Sequence, residues 1–262
     1  MKTILKYLSI YKEFIKTSMA EQMSFRINFF LMILIDIIFM LSSLFTISFI
    51  YDHISVLGTW NKNHFLFFTS YLIVLDTIHM GIVASNFWLF SQDLKMGLLD
   101  FTLLKPVNII FQIFFRYFRV SSLFTTLISA SVLIYFGIQI ELSVLSWLML
   151  PIFILMSFIL RFNLEVLIAS LMFWIIEGNG INFFRMQLQE IADWPYFIYN
   201  TSVRIIFCFI FPILLIAGAP SQFLIDSKPN LIIVMFFSII ASSVAVKYFF
   251  HFALKRYESA SS

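Results

Sequence analysis

Long apolar runs broken by short polar connections organise the chain. Runs at about 27–50, 65–90, 145–176, 205–224 and 231–252, with another that ends near 138, are dominated by Leu, Ile, Val and Phe. About 20 apolar residues suffice to carry a helix across the hydrocarbon core of a bilayer. The pattern therefore predicts an all-α, polytopic membrane protein with six transmembrane helices. The first residues follow a different rule. On a helix, Ile4, Tyr7, Leu8, Tyr11, Phe14, Ile15 and Met19 share one face, while Lys2, Lys6, Ser9, Lys12, Glu13 and Lys16 share the other. Residues 1–26 read as an amphipathic helix lying in the interface rather than across it.

Two connections are long. The first, 91–119, carries Lys95, Lys105, Arg116 and Arg119 against Asp93 and Asp100. Basic residues mark the cytoplasmic face, so this is expected to be an internal loop. It should hold one turn of helix over Asp93–Leu99 and stop at Lys105-Pro106, because the residue before proline avoids the helical region. Its second half, Ile109–Arg119, is amphipathic and is expected to start the third span. The second connection, 177–204, places Ile181, Phe184, Leu188 and Ile191 on one helical face, with Arg185, Gln189 and Glu190 off it. It reads as a cytoplasmic connection holding an interfacial helix that ends at Trp194-Pro195.

The run at 145–176 is longer than one crossing requires. As a straight helix it would cover ~48 Å at 1.5 Å per residue, against a core of ~30 Å. It is either two spans that turn at Arg161-Phe162-Asn163 or one helix bent near Pro151. Charge favours one helix. That choice puts 14 Lys and Arg inside and two, Lys62 and Lys228, outside, with Arg161 in the membrane. Both termini are then cytoplasmic, as the positive-inside bias requires. The fifth span is expected over about Ile205–Ala217, extending toward Leu224, with Pro212 as its kink.

Composition agrees: 61% of the 262 residues are hydrophobic and 12% charged, where a soluble domain is nearer half and a quarter. One cysteine, Cys208, excludes disulfides within the chain. No phosphate-binding G-x-x-x-x-G-K-[ST] loop occurs, nor any H-E-x-x-H or G-x-S-x-G, so the chain is not expected to be an enzyme. It needs no cofactor of its own, and no nucleic-acid partner is indicated. The candidate chemistry is intramembrane: Asp36, Asp76, His79, Arg161 and Glu165, which are expensive in lipid and mark function or packing. Arg161 and Glu165 stand four apart and can pair along one face. Asp76 and His79 stand three apart and could act as a proton-coupled pair or as hydrogen bonds between helices. Ser242, Ser243 and Ala245 form a small-residue patch suited to close helix contact.

The central loop carries a resemblance. Gly97-Leu98-Leu99-Asp100 followed by Leu103-Leu104-Lys105-Pro106-Val107 resembles the G-x-L-D…L-L-x-P-V stretch of bacterial ABC-2-type transporter permeases, in the branch of six-span, separately encoded chains of this length. Lys255-Arg256-Tyr257-Glu258-Ser259-Ala260 resembles that branch's R-Y-x-S-A ending, and Pro195-Tyr196…Tyr199, Pro212 and Pro220 fall where it has Y-P…Y, a mid-span proline and P-A. Ala219-Pro220-Ser221 departs from P-A, and Trp194 replaces the usual tyrosine. The resemblance covers nearly the whole chain. It implies a single transmembrane domain, 1–262, that serves as an exporter's permease in the cytoplasmic (inner) membrane. A separate ATP-binding subunit would bind ATP-Mg and dock on 91–119. A second permease chain, identical or related, would complete the path, with membrane lipids around it. Lys95, Gly97, Asp100, Lys105 and Pro106 would form the docking loop. Few buried charges and many Phe suit a hydrophobic or amphiphilic cargo. The alternatives are a proton-coupled secondary transporter using Asp76 and His79, and a non-transporting scaffold subunit of an ABC complex.

Overall fold

A computed structural model describes residues 2–54, 56–175 and 178–257. In chain order its helices are α1 (Lys2–Ser24), α2 (Arg26–Tyr51), α3 (Lys62–His79), α4 (Ser85–Met96), α5 (Leu99–Leu103) and α6 (Ile109–Phe114). They are followed by α7 (Ser121–Gln139), α8 (Val144–Ala169), α9 (Gly178–Glu190), α10 (Thr201–Ile205), α11 (Leu215–Asp226) and α12 (Asn230–Leu254). The described residues contain no strand, only a Leu57–Trp60 bridge that closes the turn after α2. The all-α, polytopic reading holds. Among the described residues, five elements are long and apolar enough to cross a bilayer: α2, the joined α3–α4, α7, α8 with its terminal 3-10 turn, and α12. The 145–176 run is one element, Val144–Phe173, with Pro151 inside the helix.

Local chemistry sets the boundaries. Asn61, Asn108, Ser143 and Asn200 each precede a helix, and each side-chain oxygen accepts an otherwise orphaned amide, from His64, Phe111, Ser146 and Val203 respectively. α4 ends at Gly97, whose φ of 68° is left-handed. The Leu98 amide returns to the Asp93 carbonyl at 2.9 Å and the Gly97 amide to Leu94 at 3.4 Å, a glycine-terminated helix end of the Schellman kind. Between α3 and α4 the helix widens into a π turn, Met80–Ala84. A wide turn loosens the regular ladder, and the Gly81 carbonyl accepts the amide of Arg119 at 2.9 Å.

Two clusters hold the ends of the bundle. Trp60, Phe65, Phe68, Tyr71, Leu150 and Leu224 pack together at the end carrying the α2–α3 and α7–α8 turns. Phe87, Phe90, Leu99, Phe114, Phe173 and Phe250 pack together at the other, here called the loop end. Elsewhere large apolar side chains stay uncovered, including Phe30, Phe39 and Phe45 on α2 and Phe236 and Phe237 on α12. In a bilayer these face hydrocarbon, so helix association rests on packing and hydrogen bonds rather than on release of water. The small patch on α12 serves that purpose in part. Asn163 of α8 donates to Ser242 Oγ at 3.1 Å and Ser243 Oγ at 2.8 Å.

Of the stretch expected as a cytoplasmic connection, 177–204, the described residues 178–198 instead run the length of the bundle. A Cβ on Gly178 would meet Ser91 and Met172 at the loop end. Arg185 reaches Glu165, Ala192 packs with Leu160 and Leu164, and Phe197 lies on Trp60 and over Gly58 at the far end. The expected fifth span, 205–224, is not a straight crossing. Thr201–Ile210 and Leu215–Asp226 meet at 104°. Leu224 packs in the cluster of Trp60 and Phe197 at the far end, while Pro212, at the break, lines a hollow together with Leu164 and Leu167. This is a re-entrant hairpin that dips into the bundle and returns to the same end. Among the described residues five elements are candidate crossings, and α9 with the 3-10 turns after it makes a further passage along the bundle in place of the expected fifth span. The apolar face expected for α9 packs inward at Ile181, Leu188 and Ile191, but Phe184 is exposed and Arg185, expected off that face, is buried.

Candidate functional site

Four of the candidate intramembrane residues, Asp76, His79, Arg161 and Glu165, form one network with Arg185. Glu165 of α8 is fully buried. Its carboxylate accepts from His79 Nε2 at 2.8 Å, Arg185 Nη1 at 2.8 Å and Arg161 Nε at 3.2 Å. Arg161 also bonds Asp76 through Nη1. Two arginines thus balance two carboxylates, and the guanidinium of Arg185 lies 4.4 Å from the Phe87 ring centroid. Charges in this setting cost several kcal/mol each unless paired and hydrogen-bonded, which explains why every oxygen of Glu165 is engaged. The Arg161–Glu165 pair expected four residues apart is present. Asp76 and His79, expected as a possible pair, belong to different partners: Asp76 to Arg161, His79 to Glu165.

A second ion pair joins α2 to the start of α7. Arg119 Nη2 donates to both oxygens of Asp36, at 2.9 and 2.8 Å, and Thr125 is within 3.4 Å of the same carboxylate. Asp36 and Asp76 face a cavity of about 490 Å³ bounded by α2, α3, α4, α8 and α9. Trp88, Met40 and Leu72 supply apolar wall, and Arg185, Gln189, Glu190 and Asp193 line the side formed by the fifth passage.

The loop 91–119 is ordered and firmly based. Leu99 and Phe114 are fully buried, and Phe114 meets Phe87 at 4.7 Å and Phe90 at 5.5 Å between centroids. Buried Asn86 exchanges two hydrogen bonds with the backbone of Tyr117, each 2.9 Å. Arg116 pairs with Asp93 at 2.8 Å. Burial, aided by Glu21, pushes the Tyr117 phenol up, so it stays neutral. α1 braces the outer side. Lys6 Nζ donates to the Pro106 carbonyl at 3.1 Å, Tyr7 accepts the Asn108 amide at 3.0 Å, and Gln22 donates to the Phe118 carbonyl at 2.7 Å. Its Tyr7, Tyr11 and Phe14 surround Phe111.

Above that base the loop presents a surface. Phe101 is 66% and Leu104 82% exposed, flanked by exposed Lys95, Lys105 and Pro106, with Asp100 half-buried beside them. The helix expected over Asp93–Leu99 is divided: α4 continues to Met96, and α5 follows the Gly97 turn. α5 stops before Lys105-Pro106, where the proline requires it. α6 does not merge into the third span, because residues 115–119 break between them.

Sequence reasoning missed Arg185, Arg119 and the acceptor role of Glu165 for His79. A usable signal existed for Arg185, which stands seven residues after Gly178 and four after Ile181 on one face. Its surroundings, rich in Gln, Asn and Glu, masked it. The tail motif extends past Tyr257, and Glu258–Ala260 lie outside the described residues.

Helices crossing a bilayer, an ion network within them and a rigid basic loop at one end define a polytopic transport-type membrane domain. The family model described as ABC-2 family transporter protein matches residues 37–261. The chain belongs to that family, and it is a multi-pass permease subunit of an ABC transporter. No curated protein and no solved structure matches it.

Proposed function

We propose that this chain is the membrane subunit of an ATP-driven ABC-2-type exporter in the cytoplasmic membrane, moved by a separate ATP-binding subunit that docks on residues 95–106. The observation that carries the reading is the pairing of an exposed apolar tip, Phe101 and Leu104, with a base whose Leu99 and Phe114 are fully buried. A tip held this way passes a push from the partner directly into α4 and α6. The loop end is the cytoplasmic one. Twelve of the seventeen Lys and Arg lie toward it, against three, Lys62, Arg204 and Lys228, at the opposite end. This count leaves out Arg161 and Arg185, which belong to the network within the bundle.

A second permease chain completes the path. Glu190 and Asp193 are exposed on a segment at membrane depth, and such groups face protein or a water-filled cavity rather than lipid. The cavity beside them takes a hydrophobic or amphiphilic cargo. Rearrangement of the two chains between inward- and outward-open packings moves it. The alternative of proton coupling through Asp76 and His79 is weakened, since each is committed to a separate partner.

The test is co-purification with the ATP-binding subunit and vesicle transport. Replacing Asp100 and Lys105 together is expected to reduce association and stimulated ATP hydrolysis. Unchanged values for both would remove the loop from the mechanism, and export that survives ATP depletion but collapses with the proton gradient would favour the alternative.

A further inference from the structure

On the bilayer-facing side, between α8, α9, α12 and the re-entrant hairpin, lies an open groove of about 850 Å³. We propose that it binds an anionic phospholipid, with an acyl chain in the groove and the headgroup beside Lys247 and Arg256. The walls are apolar: Leu171 from α8's terminal turn, Phe184 from α9, Phe207 and Phe211 from the hairpin, and Ala245 and Phe252 from α12. At membrane depth the only solvent for such a surface is hydrocarbon. The groove continues past Leu167 and Ala245 into a second hollow of about 510 Å³ that reaches Val234. From Phe252 to Val234 the track follows α12 for ~27 Å at 1.5 Å per residue, longer than one leaflet's half of a ~30 Å core.

The rim selects the headgroup. Lys247 Nζ stands 5.7 Å from the Tyr248 ring, and the Arg256 guanidinium carbon 6.0 Å from the Phe252 ring. Both rings belong to the groove lining, so the cations sit on its border. Trp174 lies against Phe249 at 5.9 Å and Phe252 at 6.0 Å, and Trp at this position marks the headgroup level. Among the described residues, none that lines the groove is acidic. A Lys or Arg near an anionic lipid surface contributes about fivefold in affinity. Phosphatidylcholine would fill the groove equally well but gain little from these two groups. The site depends on neither the ATP-binding partner nor which end is cytoplasmic.

The experiment uses the full chain in phosphatidylcholine nanodiscs doped with tail-photoreactive phosphatidylglycerol or, in parallel, tail-photoreactive phosphatidylcholine at the same mole fraction. Adducts are mapped by mass spectrometry. The expected result is labelling concentrated on peptides containing Phe207–Phe211 and Phe249–Phe252, several-fold stronger with phosphatidylglycerol. Lys247→Gln with Arg256→Gln should reduce the phosphatidylglycerol yield at least about fivefold, to the phosphatidylcholine level. Ala245→Phe should reduce both. The surface pair keeps the test valid if Ala245→Phe does not fold. Equal labelling by the two lipids in the wild type, or adducts spread evenly over all lipid-facing helices, overturns the proposal. So does disulfide cross-linking of two chains through Tyr248→Cys in a Cys208→Ser background, which would place a second copy in the groove.

Discussion

His79 Nε2 lies 2.8 Å from Glu165 Oε2, joining residues 86 positions apart at the centre of the bundle. The same carboxylate also engages both arginines, so it is the keystone of the network. Replacing Glu165 with Gln leaves Arg161 and Arg185 short of one negative charge. Removing one partner of a buried ion pair costs about 3–5 kcal/mol. Thermal unfolding in detergent should show a loss of that order, and replacement of exposed Glu13 by Gln should show almost none.

Arg119 and Asp36 are coupled more locally. A double-mutant cycle with Asp36→Asn and Arg119→Gln should return an interaction energy between about 0.5 and 3 kcal/mol, measured by the same unfolding assay. Additive losses would show that the two side chains do not stabilise each other.

Asn86 serves the Tyr117 backbone as both donor and acceptor. Asn86→Leu keeps the volume and strands a buried amide and carbonyl, at about 1–3 kcal/mol for each unmet group. Hydrogen exchange should rise over residues 115–119 and stay unchanged in α12. Uniformly raised exchange would mean that the contact holds the whole bundle rather than the loop.

Gly97 has a φ that an L side chain adopts at a cost of about 1–2 kcal/mol. Gly97→Ala should lower stability by that amount and weaken stimulation of the ATP-binding partner, because α5 would be re-aimed.

The course of the fifth passage has a direct check. In a Cys208→Ser background, a cysteine at Asn200 should label from the same side of the membrane as one at Lys62. A cysteine at Lys105 should label from the opposite side. If Asn200 follows Lys105, residues 178–198 do not cross.

The sequence was most legible where composition and length decide structure. Lipid-crossing helices must be long and apolar, so α2, α3–α4, α7, α8 and α12 stood out. Lys105-Pro106 ended α5 for a local steric reason. Legibility failed where neighbours change the rules. Gly178–Asp193 is too polar to be recognised as a passage, because its Arg185 is paired with Glu165 inside the bundle rather than solvated by water. The 205–224 run is apolar enough to cross, but Pro212 folds it back on itself. Within the site, residue types were readable and partners were not. Spacing along one helix pointed to Arg161 with Glu165, whereas the bonds from His79 and Arg185 depend on the packing of three helices.

That polar passage also bears on how the protein is made. A segment carrying Arg185, Gln187, Gln189, Glu190 and Asp193 is poorly suited to enter the bilayer alone, since each charged residue at mid-helix costs about 2.5–3.5 kcal/mol on insertion. Its seat exists only after α3–α4 and α8 stand together with Glu165 facing inward. During biosynthesis the earlier helices therefore act as a chaperone for the fifth, and a nascent chain lacking Glu165 should stall with 178–198 still outside the membrane.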